Sequence, residues 1–205
     1  MKIAIIDYGA GNIQSIQFAL NRLGYEGFLT NNPTEIHSAE KVIFPGVGEA
    51  GSAMKKLKSS GLDELIPNLT QPVLGICLGM QLMCNNTEEG NTKGLGIFDT
   101  NVIRFSNKVK VPHMGWNNIN PTDRKQFFGR SLTGFLYFVH SFYAEICRET
   151  IATTHYLTDF SAALQKDNFY GVQFHPEKSG LAGEKLLQNF LNPKPTNPQP
   201  ENVIK

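Results

Sequence analysis

Cys77 lies in the run Val73-Leu74-Gly75-Ile76-Cys77-Leu78-Gly79-Met80-Gln81-Leu82. Apolar or small residues lead into the cysteine, a glycine stands two residues to either side, and a helical pattern follows in Met80, Gln81, Leu82 and Met83. The short all-apolar run reads as a buried parallel strand. A nucleophile between two such glycines, at a strand-to-helix turn, is the pattern of the nucleophile elbow, here with cysteine where a hydrolase carries serine. The turn is tight, side chains beside the nucleophile would clash, and Gly75 and Gly79 have none. A cysteine at a helix N-terminus has unpaired N–H groups and the positive end of the helix dipole beside it. Both favour the thiolate, and the same N–H groups can hold an oxyanion. The competing reading is a buried structural cysteine, a common use of the residue.

A sulfur nucleophile needs a base, and the best placed is far downstream, in Phe169-Tyr170-Gly171-Val172-Gln173-Phe174-His175-Pro176-Glu177. The aromatic and β-branched residues read as a strand. Pro176 cannot continue a ladder, so the strand is expected to stop with His175 at its tip. Glu177, two residues on, can accept a hydrogen bond from the imidazole and fix its tautomer, as the third member of a triad does. Strand tips at one edge of a parallel sheet are where ligands bind in open α/β folds.

The elements that must position these residues follow from the rest of the chain. Its 205 residues and net charge of +1 suit one domain with a proper core and give no electrostatic footprint for nucleic acid or a membrane surface. Met1-Lys2 leads directly into a strand, no signal peptide is expected, and no apolar run approaches the length of a membrane span. Three cysteines argue against a disulfide framework and for a reducing cytoplasm, with Cys84 and Cys147 as plain thiols. No Cys/His cluster has zinc spacing, and no cofactor is called for.

Strand Lys2–Ile6 is followed by Asp7-Tyr8-Gly9-Ala10-Gly11-Asn12 and a helix with Ile13, Ile16, Leu20 and Leu23 on one face, stopped at Gly24. The glycine turn is half of a dinucleotide fingerprint. It lacks the third glycine and the acidic residue that would meet the ribose, so a tight βα turn at the active edge is the competing reading. Gly27–Thr30 and Val42–Phe44 read as strands, with a short helix from Pro33 between them. Pro45-Gly46-Val47-Gly48 then gives a loop whose backbone can approach a ligand closely, or simply a flexible connection. Helical pieces follow at Ala50–Leu57 and Leu62–Leu69. This βαβαβαβ alternation predicts an α/β fold with a flavodoxin-like, doubly wound, mostly parallel sheet. Beyond the elbow, Asn85–Lys93 reads as a polar loop. Gly94–Phe98, Asn101–Phe105, Val109–Ile119 and Phe135–Phe142 read as strands of an antiparallel flank, joined by Ile151–Tyr156 and Ser161–Gln165. Gly183–Leu191 is the last amphipathic helix, and residues 193–205 form a Pro-rich flexible tail outside the 1–192 domain.

In order, Pro45-Gly46-Val47-Gly48, Gly75-Ile76-Cys77-Leu78-Gly79-Met80-Gln81 and Phe174-His175-Pro176-Glu177 resemble the class I, triad-type glutamine amidotransferases. The blocks Asp7–Asn12, Pro112-His113-Met114-Gly115-Trp116-Asn117 and Tyr137-Phe138-Val139-His140-Ser141-Phe142 are similar to those of the glutaminase subunits of imidazole glycerol phosphate synthase. The resemblance covers residues 1–192 and implies a specific chemistry. Cys77 attacks the side-chain amide of glutamine, His175 is the base and Glu177 orients it. Val47 and Leu78 supply the oxyanion hole, while Gly46, Gly48, Gln81, Glu89, Ser141 and Phe142 hold the substrate. The resemblance also implies a heterodimer with a (βα)8-barrel cyclase, which Asn12 and Trp116 would face. Ammonia channelled to that partner gives imidazole glycerol phosphate and AICAR in histidine biosynthesis. Phe142 departs from the tyrosine that relatives often carry, which matters little if the contact is by backbone. Rival readings are a cysteine hydrolase or peptidase of the same fold, a paralogous glutaminase feeding a vitamin or amidino-sugar synthase, and a decayed binding subunit. The filled triad positions argue against the last.

Overall fold

Two parallel neighbouring strands bring Cys77 and His175 to the same sheet edge. The computed structural model describes residues 1–9, 11–122 and 134–192; the expected tail, 193–205, lies outside them. Strands β1 (Ile3–Ile6), β2 (Gly27–Thr30), β3 (Lys41–Phe44) and β4 (Val73–Ile76) alternate with helices α1 (Ile13–Arg22), α2 (Pro33–Ser38), α3 (Ala50–Ser59) and α4 (Leu62–Leu65). The elbow helix α5 (Leu78–Leu82) follows. After it come β5 (Cys84–Thr87), β6 (Thr92–Lys93), β7 (Phe98–Arg104), β8 (His113–Asn118), β9 (Asn120–Pro121), β10 (Phe135–His140), β11 (Phe142–Ala144), β12 (Thr150–Tyr156), β13 (Thr158–Lys166), β14 (Phe169–Val172) and helix α6 (Gly180–Leu191).

The main sheet has the order β2-β1-β3-β4-β14-β13-β12-β9. Its first five strands are mutually parallel and the last three join antiparallel. A parallel run in which β14 takes the fifth place is the doubly wound, flavodoxin-like order, with ligands expected at the carboxyl ends of the strands. Because helices cover both faces, β1 and β4 are buried at every residue, as their unbroken apolar runs require. Ile3 and Ile5 point to α1 and α6 (Ile16, Leu20, Leu186, Phe190), whereas Ala4 and Ile6 point to α3 and α4 (Met54, Leu57, Leu62). Each fully buried Ile or Leu among them contributes about 1.5–3 kcal/mol of transfer free energy. Two flanking layers complete the fold: the sheet β11-β7-β5-β6 and the antiparallel ribbon β8–β10.

Four expectations change. Asn85–Lys93 is not a loop throughout: β5 pairs with both β7 and β6, and Asn86 Nδ2 donates to Asn101 Oδ1 across the ladder, so paired polar side chains replace apolar ones. The strand expected at Gly94–Phe98 begins only at Phe98, because Gly94 lies against the Cys84 carbonyl, where a Cβ would come within 2.1 Å. The long Val109–Ile119 strand begins at His113. β14 ends at Val172, so His175 lies beyond the ladder rather than on its tip; its N–H donates instead to the Tyr137 carbonyl of β10.

Candidate functional site

Cys77 joins β4 to α5 with φ +53° and ψ −111°, a conformation that L residues rarely adopt. Close packing holds the strain. A Cβ on Gly79 would lie 2.1 Å from the Phe44 carbonyl oxygen, and one on Gly46 would lie 2.3 Å from the Gly79 nitrogen. The elbow and the loop after β3 therefore touch backbone to backbone, which only glycine permits. α5 is five residues long, so the field at Cys77 comes from local N–H groups more than from a long helix dipole.

His175 Nδ1 and Glu177 Oε1 are 2.8 Å apart, and both side chains are buried. Glu177 Oε2 is buried and has no hydrogen-bond partner among the described residues. Burial lowers the His175 pKa, but side-chain hydrogen bonds with Cys77 and Glu177 and their charges outweigh it and raise the value to about 10. Ser179 Oγ donates to the His175 carbonyl at 2.6 Å and accepts from Tyr137 N at 2.9 Å, which ties the turn after His175 to β10.

A cleft of about 350 Å³ opens above Cys77, in the size range of small-molecule sites. Cys77, Leu78, Gln81 and His175 line it from the elbow side, Val47, Gly48 and Glu89 from one wall, and Ser141 and Phe142 from the other. Gly46 packs below, against the elbow backbone, and Glu177 stands behind His175. Gln81 Nε2 donates to the Phe142 carbonyl and to Gln173 Oε1, each at 2.8 Å. Glu89 Oε2 accepts from Ala50 N at 2.9 Å. Burial pushes the Glu89 carboxyl above its ordinary value, the Ala50 N–H pulls it back, and Glu49 adds to the rise. The Phe142 contact is through its backbone, so the missing tyrosine hydroxyl is immaterial to it.

Asn12 and Trp116 do not line the cleft. Asn12 precedes α1 without capping it through its side chain. Trp116 stands exposed on β8, edge-on to Tyr137 at 5.8 Å, and Lys178 Nζ lies 6.0 Å from the Tyr137 ring centre. α1 and β10 both pack on the Pro176–Lys178 turn, so these positions flank the base rather than the substrate cleft.

Sequence reasoning missed several residues around the site. Tyr8 donates to the Pro45 carbonyl at 2.8 Å. His113 and His140 form a buried pair, and Gln173 touches Cys77 Sγ. One signal was available: Gln173 is polar within an apolar, strand-like run, and a buried polar side chain needs a partner. Among the described residues, no group of three or more His, Cys, Asp or Glu side chains could hold a metal, and no helix is long and apolar enough to cross a membrane.

The family described as "Glutamine amidotransferase class-I" matches residues 4–193. The chain belongs to the class-I glutamine amidotransferases. Among its relatives, "Imidazole glycerol phosphate synthase subunit HisH" of Bacteroides thetaiotaomicron is 58% identical over 195 residues, covering 94% of this chain and 100% of that one. The protein of the same name from Yersinia pseudotuberculosis is 45% identical over 194 residues, covering 93% and 99%. A crystal structure titled as a glutamine amidotransferase shares the fold with a TM-score of 0.71 at 17% identity, covering 93% and 97%. As a class-I amidotransferase, the chain has a cysteine elbow on a doubly wound sheet, and both are present here.

Proposed function

We propose that this chain hydrolyses glutamine to glutamate and ammonia, as the glutamine amidotransferase subunit of an imidazole glycerol phosphate synthase in histidine biosynthesis. The observation that carries the reading is the strained Cys77 elbow lining one cleft with His175, itself held by buried Glu177. The names of relatives at 45% to 58% identity support the synthase.

With the proton on His175, Cys77 Sγ attacks the side-chain amide carbon of glutamine. A C–S bond forms, and the oxygen takes up negative charge. The N–H groups of Val47 and Leu78 are assigned to that oxyanion. The C–N bond then breaks, and His175 protonates the departing nitrogen to release ammonia. Water, losing a proton to His175, adds to the thioester; the C–S bond breaks and glutamate leaves. Glu177 keeps the imidazole oriented throughout.

The seat for the amino-acid head follows from hydrogen-bond accounting. Both hydrogens of Gln81 Nε2 are used inside the protein, so the group left to the cleft is its Oε1 acceptor. With the Glu89 carboxylate it suits an α-ammonium group. Gly46, Gly48 and the Ser141–Phe142 backbone are assigned to the remaining contacts. The working unit is residues 1–192.

The partner is proposed to be a (βα)8-barrel cyclase that binds over Asn12 and Trp116. On the ribbon, Met114, Trp116 and Phe135 are 63%, 56% and 63% exposed, and Trp116 and Tyr137 are cross-strand neighbours. Such an apolar stripe beside a functional cleft suits a protein interface. Three free cysteines and the lack of a spanning helix among the described residues suit a cytoplasmic setting.

The test is Cys77→Ala in the reconstituted synthase. Glutamine-dependent product should vanish while product from added ammonium salt persists, because only the ammonia source is lost. Cys84→Ala and Cys147→Ala should leave glutamine turnover near wild type. Glutamine-dependent turnover in Cys77→Ala would sink the assignment.

A further inference from the structure

Gln173 is fully buried, and its Nε2 lies 3.7 Å from Cys77 Sγ. The direction of every bond around it follows from one backbone oxygen. The Phe142 carbonyl can only accept, and it faces both Gln81 Nε2 at 2.8 Å and His140 Nδ1 at 2.7 Å. Both of those nitrogens must therefore carry hydrogen. Gln81 Nε2, now fixed as a donor, faces Gln173 at 2.8 Å, so the Gln173 atom it meets is the oxygen. The amide nitrogen of Gln173 is thereby turned to the sulfur. On the other arm, Nδ1–H on His140 leaves Nε2 bare in the neutral ring, so His113 Nδ1, 3.0 Å away, is the donor there. The chain of bonds runs from the His113–His140 pair through the Phe142 carbonyl, Gln81 and Gln173 to the nucleophile.

We propose that Gln173 is a positioning residue for the nucleophile: its amide, locked by Gln81, donates to Cys77 Sγ and joins the sulfur to the seat of the substrate's amino-acid head. The proposal rests on the glutaminase reading for its meaning, since Gln81 is assigned above to the substrate's ammonium end. A donor aimed at sulfur favours the ionised form, because a hydrogen bond stabilises a charged acceptor more than a neutral one. The 96-residue separation makes this a contact of tertiary structure, between the loop after β14 and the turn after β4. The other titratable groups around the sulfur are His175 beyond β14, Tyr8 beyond β1, and His140 of β10, with Glu89 and Lys178 on the cleft walls. None of them is altered in the experiment.

The experiment measures the alkylation rate of Cys77 by iodoacetamide against pH, in a Cys84→Ala, Cys147→Ala background. Gln173→Met removes the donor at similar volume. The midpoint of the rate profile should rise by about one pH unit, so that alkylation below the midpoint is about tenfold slower, with the limiting rate at high pH kept. Gln81→Met, which leaves Gln173 in place but frees its amide to turn, should move the midpoint the same way. It serves as the second variant if Gln173→Met does not fold. An unshifted midpoint in the folded variants, whatever the limiting rate, overturns the proposal. The readout is independent of glutamine: turnover lost in Cys77→Ala with no midpoint shift here fails this inference alone, and a shift without any glutamine turnover fails the glutaminase reading alone.

Discussion

Tyr8 Oη donates to the Pro45 carbonyl at 2.8 Å, so the buried phenol of the loop after β1 holds the start of the loop after β3. Burial, with the nearby Cys77 sulfur, pushes the Tyr8 hydroxyl well above the ordinary tyrosine range, so it stays a donor throughout the working pH range. Tyr8→Phe leaves the Pro45 oxygen without this partner and should destabilise the chain by about 1–3 kcal/mol, read as a lower urea midpoint at unchanged slope. Because Pro45 adjoins the Gly46–Gly48 loop, kcat for glutamine should fall more than KM rises. A variant with wild-type stability would show that the bond contributes nothing.

The triad variants should separate by role. His175→Ala is expected to lower kcat about as far as loss of Cys77, since members of one unit fail together. Glu177→Gln keeps a side chain of the same size beside His175 Nδ1, and should retain about 10- to 100-fold more activity than His175→Ala. Steady-state ammonia release measures both. An active His175→Ala enzyme would mean that the base is elsewhere.

The buried histidines give opposite pH dependences. Burial depresses His113 to about 4. His140 is depressed to about 3, mainly by burial, against the Phe142 carbonyl and with help from the charges of His113 and His175. An unfolded histidine titrates near 6.5, so between there and about 4 the unfolded chain binds more protons, and stability is lost as pH falls through that window. Each such histidine contributes a slope of at most about 1.4 kcal/mol per pH unit. His175, raised instead, contributes stability that is complete below about 6.5 and is lost as pH rises towards 10. His113→Phe keeps an aromatic ring on Tyr156 and Phe138 and removes one acid-titrating group. Its melting temperature should fall less steeply than wild type from pH 7 to 5; an equal slope would refute the assignment.

The partner should govern turnover. Gly48 has φ +97° and no atom within 4 Å of where a Cβ would stand, so the peptides of this loop have room to reorient. One missing oxyanion donor slows such chemistry by about 10²–10³-fold. Glutaminase kcat should therefore rise from the lone chain, to the complex with the cyclase, to the complex with the cyclase's nucleotide ligand. Trp116→Ala should weaken cyclase binding about tenfold or more, as loss of an exposed aromatic anchor does. A lone chain already at full rate would overturn both the gating and the partner.

Much of this site is legible along the chain because its requirements are local. The elbow needs glycines at fixed offsets from Cys77, and His175 and Glu177 are two residues apart, so steric and hydrogen-bond constraints are written into neighbouring letters. Strands β1 and β4 are equally plain, since burial on both faces demands unbroken apolar runs such as Ile3–Ile6. What tertiary structure alone decided is the polar lining. Asn85–Thr87 looks like loop because a strand that satisfies itself with asparagine and threonine pairs carries no apolar alternation. His175 leaves the ladder early because its N–H finds Tyr137 on another layer. Gln173, Gln81 and the His113–His140 pair acquire direction only when Phe142 brings its carbonyl between them. A hydrogen bond depends on where two distant segments meet, and residue type fixes only the capacity to make one.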